Sequence, residues 1–358
     1  MIKVFMIGYS NNKGGVETYI DNLIKNSSDD IQYILSEPIM EIDGKKWVRP
    51  QNRHNYIKYS LFWKRFFETN NFDVVYYNTC DIVSIDALKF AKKAGIKMRI
   101  IHSHNSGLQQ SLKKNLSYFH KMSEIWNKKN IKKYATHLFA CSEKAGRWMF
   151  NNNDFILVKN GIDLNHYIYD SKVRRDIQTE LDLKDKFILA CIGRLSHQKN
   201  PFFSVDVFEE LQKIKSNAVL LFIGDGELKE DLEKYILSKQ LSDKIKLLGN
   251  CDNVHQLLSS IDCLLMPSIF EGLPFVLVES QATGLPCVVS DTVSVESQLT
   301  NLVSFVNLNE NKNVWVEQIL KSIDMKRYSR TTELTERGYS FKKIAEFVTC
   351  LMKDYLLQ

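Results

Sequence analysis

The sequence predicts an α/β protein built on two parallel sheets. Three observations carry this. Short β-rich runs alternate with helix-period segments along the whole chain, as expected for parallel sheets covered on both faces. The 358 residues suffice for two domains with separate cores. Glycines and charged side chains recur where predicted strands end, and open α/β sheets place their ligands at that edge.

The elements follow in order. Met1-Ile2-Lys3-Val4-Phe5-Met6-Ile7-Gly8 reads as a buried first strand, too short and too soon polar for a signal peptide. Gly14-Gly15 comes after it and permits close backbone approach to a ligand. Strands are expected over 31–35, 74–77, 99–102, 137–140 and 156–158, with helices over 16–25, 56–68 and 85–94. The turn-rich stretch 160–171 is the expected linker, dividing the chain into residues 1–165 and 166–340. Beyond it, strands are expected over 187–192, 218–223, 245–248, 263–266 and 287–290. Helices are expected over 201–213, 228–239 and 254–259, and residues 341–357 read as a long amphipathic helix.

Composition sets the class. Hydrophobic residues make up 44% and charged residues 25%, ordinary values for a globular domain. No apolar run approaches the roughly 18 residues needed to span a bilayer. Seven scattered cysteines with no C-x-x-C pair fit a reduced, cytoplasmic compartment. The net charge of +6 is uneven: residues 1–165 carry +10 and the remainder −4. The basic surplus lies in Lys89–Arg99 and Lys113–Lys133. It suits an anionic partner or, equally, a set of solvated helix faces.

Pro267–Asp291 holds the densest chemistry. Glu271 lies in a Gly/Pro loop beside Gly272, Leu273, Pro274 and Phe275. Pro274 suits the first position of a helix that Gly284 ends and Pro286 stops. Glu279 then falls a turn and a half inside. Free N–H groups at such a helix start attract phosphate, and carboxylates nearby can grip sugar hydroxyls. Gly193-Arg194 ends a strand, with Lys199 five residues on. Fixed cations there would stabilise the charge on a departing diphosphate. His102 and His104 end another strand, and His104, opening the loop at Asn105, is the stronger candidate for function. No G-x-G-x-x-G, Walker A, nucleophile elbow or Asp-x-Asp pair is present. No cofactor and no metal are therefore expected, and the cations on a diphosphate would be Arg194 and Lys199.

Glu271-x7-Glu279 resembles the signature of the retaining GT-B glycosyltransferases, family 4. Gly14-Gly15-Val16-Glu17, Asn160-Gly161-Ile162-Asp163, Gly193-Arg194-Leu195 with Lys199-Asn200-Pro201, Gly224-Asp225-Gly226 and Leu247-Leu248-Gly249 resemble further family segments in their usual order, over nearly the whole chain. The resemblance implies two Rossmann-like domains with parallel sheets facing across a cleft. It implies an N-terminal acceptor domain, a C-terminal nucleotide-sugar domain, and a tail, 341–358, that packs back on the first. The implied activity is transfer of a hexose or N-acetylhexosamine, with retained configuration, from a UDP-linked or other nucleotide diphospho-sugar. The implied acceptor is a glycan or polyprenyl-diphosphate-linked oligosaccharide in surface polysaccharide synthesis. Arg194 and Lys199 would bind the diphosphate, Glu279 the ribose, Glu271 the donor sugar, and His104 would reach toward donor sugar and acceptor. Gly14, Gly15, Gly193, Gly224 and Gly249 would border the nucleotide. A covalent intermediate and a front-face route, in which the leaving phosphate takes the acceptor's proton, both remain open. A sugar-nucleotide epimerase on the same fold and a non-catalytic glycan-binding protein are the alternative readings.

For a glycan-building enzyme the expected anionic partner is the inner membrane face rather than nucleic acid. Tyr56–Phe67 interleaves aromatics with cations. Such a helix either lies among lipid headgroups or packs its aromatics on the first sheet.

Overall fold

A computed structural model describes residues 1–10, 14–49, 56–104, 118–151, 153–271 and 273–358. The chain forms two compact units, Met1–Gly161 with Phe341–Gln358, and Ile162–Ser340.

The first unit runs β1 (Ile2–Ile7), α1 (Gly15–Asn26), β2 (Ile31–Leu35), β3 (Ile39–Ile42), β4 (Lys45–Val48), α2 (Tyr56–Asn70), β5 (Val74–Thr79), α3 (Asp86–Lys93), β6 (Met98–Ser103), α4 (Tyr118–Asn130), β7 (His137–Ala140), α5 (Glu143–Phe150) and β8 (Ile156–Leu157). Its sheet has the order β2-β1-β5-β6-β7-β8 with every pair parallel. The order reverses between β1 and β5. There a Cβ on Gly8, whose φ is +109°, would stand 2.3 Å from the carbonyl oxygen of Asn78. Only glycine lets the two strand ends come so close.

On one face of this sheet Phe5 packs against Trp63, Phe66, Phe67 and Phe72, with centroids 4.9–6.1 Å away. This decides the question about Tyr56–Phe67. Trp63, Phe66 and Phe67 are buried, so they pack on the sheet and are not free to enter a headgroup layer. The β3–β4 hairpin turns at Asp43-Gly44, with φ 50° and 73°, and adds Met40, Ile42 and Trp47 to the same core. Asp-Gly is a strong hairpin signal, and the reading above passed over it. The terminal helix α13 (Phe341–Leu357) belongs to this unit. Phe341 meets Tyr19 at 5.5 Å, Tyr355 meets His137 at 4.7 Å, and Lys353 pairs with Asp30 at 2.7 Å.

The second unit runs α6 (Ser171–Glu180), β9 (Phe187–Ile192), α7 (Pro201–Ile214), β10 (Ala218–Ile223), α8 (Lys229–Ser238), β11 (Ile245–Gly249), α9 (Val254–Ser260), β12 (Cys263–Met266), α10 (Phe275–Ala282), β13 (Cys287–Ser290), β14 (Val303–Val306), α11 (Lys312–Lys321) and α12 (Thr331–Glu336). Its sheet order is β11-β10-β9-β12-β13-β14, all parallel. This is a doubly wound sheet whose order reverses between β9 and β12, and a ligand crevice forms at such a point. All-apolar strands such as Ala218–Ile223, buried along their whole length, are what a sheet covered on both faces requires.

Candidate active site

The switch point of the second unit gathers most of the motifs. Gly193, Gly224 and Gly249 stand at the carboxyl ends of three neighbouring strands. Gly193 N–H donates to Ile223 O at 2.9 Å and Gly224 N–H to Gly249 O at 2.7 Å. A Cβ on Gly224 (φ +133°) would lie 2.2 Å from Gly193 O. A Cβ on Gly193 (φ +135°) would press within 3.0 Å of Lys199 Cε. The glycines thus keep a strip of backbone bare and leave room for the lysine stem. Gly193, Arg194 and Lys199 line a small pocket of about 20 Å³ with Ser204, Met266 and Ser268.

Lys199 Nζ sits 2.7 Å from Glu271 Oε1, with side chains only 23% and 10% exposed. The contact is ionic rather than a well-angled hydrogen bond. Gln198 braces both partners: its carbonyl accepts from Ile269 N–H at 2.8 Å, and its Nε2 donates to Phe270 O at 3.0 Å. Ser268 O accepts from the hydroxyls of Ser290 and Thr292. Arg194 is different. It is 75% exposed and its Nε is 3.4 Å from Glu227 Oε2, so it can swing onto a ligand at little cost.

Helix α10 follows the Glu271 loop. Pro274 is its N-cap, with ψ 130°, rather than its first helical residue. Its ring-fixed φ of −72° and missing N–H still fit a helix start. The first turn, at Phe275, leaves unpaired N–H groups pointing back along the axis. Leu273 is buried beneath it; Gly272 lies outside the described residues. The helix ends in αL geometry at Gly284 (φ +72°), where Leu285 N–H reaches Ser280 O at 2.8 Å. Gln281 is fully buried and fully bonded: Nε2 donates to Leu277 O and Ser297 O, and Oε1 accepts from Leu299 N, Thr300 N and Thr300 Oγ1. It fixes the helix against the 297–300 loop. Glu279, only partly exposed, accepts from Tyr167 Oη at 2.9 Å. Burial raises its pKa to about 7, against the smaller opposing effect of the tyrosine bond. A hydroxyl already occupies one carboxylate oxygen, which shows that this group can bind hydroxyl donors.

The first unit carries a second constellation. His104 Nε2–H donates to Asn78 Oδ1 at 2.9 Å, while Asn78 Nδ2 donates to Ile7 O and Met6 Sδ. Asn78 thereby leaves His104 Nδ1 as an acceptor, and that atom is buried without a partner. Burial lowers the His104 pKa to about 3, so the ring is neutral. His102 stacks 4.0 Å from it, fully buried, with Nδ1 3.1 Å from Tyr76 Oη. Tyr76 Oη is in turn 2.8 Å from Tyr19 Oη. Gly14 caps α1, and Glu17, itself buried, accepts from Gly14 N–H at 3.1 Å and Ser10 Oγ at 2.6 Å. Gly14 is extended (φ −139°) and Gly15 begins the helix, so neither uses the left-handed freedom of glycine. Asn105 lies outside the described residues. Among the described residues no group of three or more His, Cys, Asp or Glu could hold a metal ion.

The family model for glycosyl transferases group 1 matches residues 173–340, nearly the whole second unit. The Bacillus subtilis candidate glycosyltransferase EpsF is 28% identical over 92% of this chain and 90% of its own. An Escherichia coli enzyme, UDP-Gal:α-D-GlcNAc-diphosphoundecaprenol α-1,3-galactosyltransferase, is 27% identical over 56% of this chain and 53% of its own. Anabaena HepE, solved with UDP-glucose, superposes with a TM-score of 0.71 at 17% identity, covering 99% of both chains. The second unit therefore belongs to the glycosyl transferases group 1 family, and the chain has the GT-B fold.

In this GT-B fold the predicted Gly193, Lys199, Glu271 and Gly224 converge at one switch point, and Gly249 continues their row. Glu279 stands on the adjoining helix. Arg194 is present but turned to Glu227. Sequence reasoning missed Asn78, Tyr167, Gln198 and Gln281. Asn78 ends a strand beside the first switch point, a placement that strand position alone could have flagged. Tyr167 fell in the presumed linker, and no local signal marks Gln198 or Gln281.

Proposed function

We propose that this glycosyltransferase moves a hexose or N-acetylhexosamine from a UDP-sugar to a glycan or polyprenyl-diphosphate-linked acceptor in surface polysaccharide synthesis, with retention and without a metal. The observation that carries the reading is the Lys199–Glu271 pair at the bare glycine strip. The donor diphosphate lies along that strip and takes Lys199 from Glu271, with Arg194 closing from the surface. Glu271, so released, accepts hydroxyls of the donor sugar, and Glu279 accepts those of the ribose. As the bond from C1 to the diphosphate oxygen breaks, negative charge grows on the phosphate, and the two cations stabilise it most in the transition state. The acceptor hydroxyl bonds to C1, and its proton leaves on the phosphate oxygen. His104, neutral with its buried Nδ1 unpartnered, orients a hydroxyl of the acceptor in the first unit. The UDP donor and the lipid-linked acceptor are supported by what the Escherichia coli relative acts on and by UDP-glucose in HepE. Retention rests on the Glu271-x7-Glu279 pattern.

The first unit, in this proposal, receives the acceptor at the membrane surface. Helix α4 exposes Met122, Ile125 and Trp126, and Lys92, Lys121, Lys129 and Lys132 are exposed around them. The test of the reaction is UDP release. It should require both a UDP-sugar and a lipid-linked acceptor, with an α-linked product seen by NMR. UDP release absent under every acceptor, with the donor converted to its epimer instead, would move the chain to the epimerase reading.

A further inference from the structure

A second cleft, of about 410 Å³, opens at the opposite, amino-terminal edge of the second unit's sheet. Its size falls in the range of small-molecule sites. Its position excludes it from the donor site, because the glycine strip and Lys199 lie at the carboxyl edge. Its floor is Arg327. One face of that guanidinium is held by the carbonyls of Leu258, Ser259 and Ile261 at the end of α9, yet its Nε–H is buried with no partner. Burial, together with the neighbouring Arg174, lowers the Arg327 pKa to about 10. Two guanidinium groups are thus held close in a partly buried place, where a bound anion would offset their repulsion.

The lining is suited to more than a bare ion. Arg174 is neutralised by Asp262 at 2.7 Å, but Lys186 and Lys215 have no carboxylate partner among the described residues. Asp185 is the one other carboxylate in the lining, so the cleft is net positive. Tyr169 offers a half-buried ring, and Ile323 and Met325 are each 42% exposed at its rim. Aromatic faces and apolar edges beside cations suit the C–H face of a sugar whose phosphate meets the lysines.

We propose that this cleft is a second binding site, for a small sugar phosphate, distinct from the nucleotide-sugar site. The ligand would act as an effector, since no reacting group stands beside it and its contacts brace α9 from below.

The experiment is a thermal shift with glucose 1-phosphate, inorganic phosphate, glucose and UDP added separately and in pairs. Glucose 1-phosphate should raise Tm in the wild type, and the rise should persist in saturating UDP. Lys186→Ala/Lys215→Ala, which removes two lysines far from the glycine strip, should lose at least ten-fold in glucose 1-phosphate affinity while keeping the UDP shift. No shift with glucose 1-phosphate, a shift unchanged in the double variant, or one abolished by UDP would overturn the proposal. An equal shift from inorganic phosphate would overturn the sugar class. Loss of the UDP shift alone would count against the donor site and leave this cleft standing.

Discussion

Glu279 carries the clearest electrostatic signature of the proposed donor site. With a folded pKa near 7, it is half protonated at neutral pH. In the proposed role ribose hydroxyls would donate to the ionised form, so donor binding and ionisation would favour each other. The diphosphate of a UDP-sugar does not titrate between pH 6 and 8, so affinity should rise about tenfold over that range, following the carboxyl alone. Calorimetry across pH checks this, and Glu279→Gln should bind weakly with a flat profile. The stability effect has the opposite sign. A raised carboxyl pKa means the native state holds more protons than the unfolded chain, so this group destabilises increasingly as pH climbs from 4.5 to 7. Glu279→Gln should therefore melt higher than wild type at pH 8, by about 1–2 kcal/mol allowing for solvent screening, with most of the gain lost at pH 5. His104 gives a contrasting prediction. With a pKa near 3 it holds no second proton at physiological pH, so no limb of the pH–rate profile between 5 and 9 belongs to it. Asn78→Asp would place a carboxylate on Nε2 and raise that pKa. An NMR titration of the ring should then move toward neutrality, and turnover should fall as the imidazolium forms.

At the scale of elements, strands and motif positions were legible and several supports were not. The strands Phe187–Ile192, Ala218–Ile223 and Cys263–Met266 follow directly from continuous apolar runs between turn residues, because a doubly covered sheet demands them. The helix after Glu271 was placed to within one residue by Pro274 and Gly284. What periodicity cannot show is which side chain crosses between elements. Gln281 tying α10 to the 297–300 loop, and Asn78 orienting His104 from the neighbouring strand, depend on how elements pack rather than on local pattern. The aromatics of α2 illustrate the converse: interleaved with cations in one dimension, they face inward once the helix is wound. The proposed membrane docking then falls to α4. Trp126→Ala/Ile125→Ser with Lys121→Glu/Lys129→Glu should lose co-sedimentation with anionic vesicles at low salt, since each basic residue near such a surface contributes about 1 kcal/mol. Equal, negligible binding of the wild type to anionic and neutral vesicles would leave a soluble acceptor.

For the whole molecule, the division into a basic first half and an acidic second half matches the proposed division of labour. One unit holds the neutral histidine, the buried Glu17 and the lysine-bordered α4 face. The other holds the glycine strip, the Lys199–Glu271 pair and Glu279. Catalysis, in this account, is mainly charge stabilisation on a leaving diphosphate. Lys199→Ala should thus lower kcat by about 10²–10³-fold while leaving the protein folded. Arg194→Ala, on an exposed ion pair, should slow turnover with almost no change in Tm. Activity should survive excess EDTA; loss restored by Mg²⁺ or Mn²⁺ would reveal a metal requirement. The most direct test of the donor site is a thermal-shift screen of nucleotide sugars on wild type, Lys199→Ala and Glu279→Gln. The account predicts a rise in Tm with a UDP-sugar in the wild type, at least ten-fold weaker in affinity in either variant. It would be contradicted by a wild type that no nucleotide sugar stabilises, or by variants that bind the UDP-sugar as tightly as the wild type does.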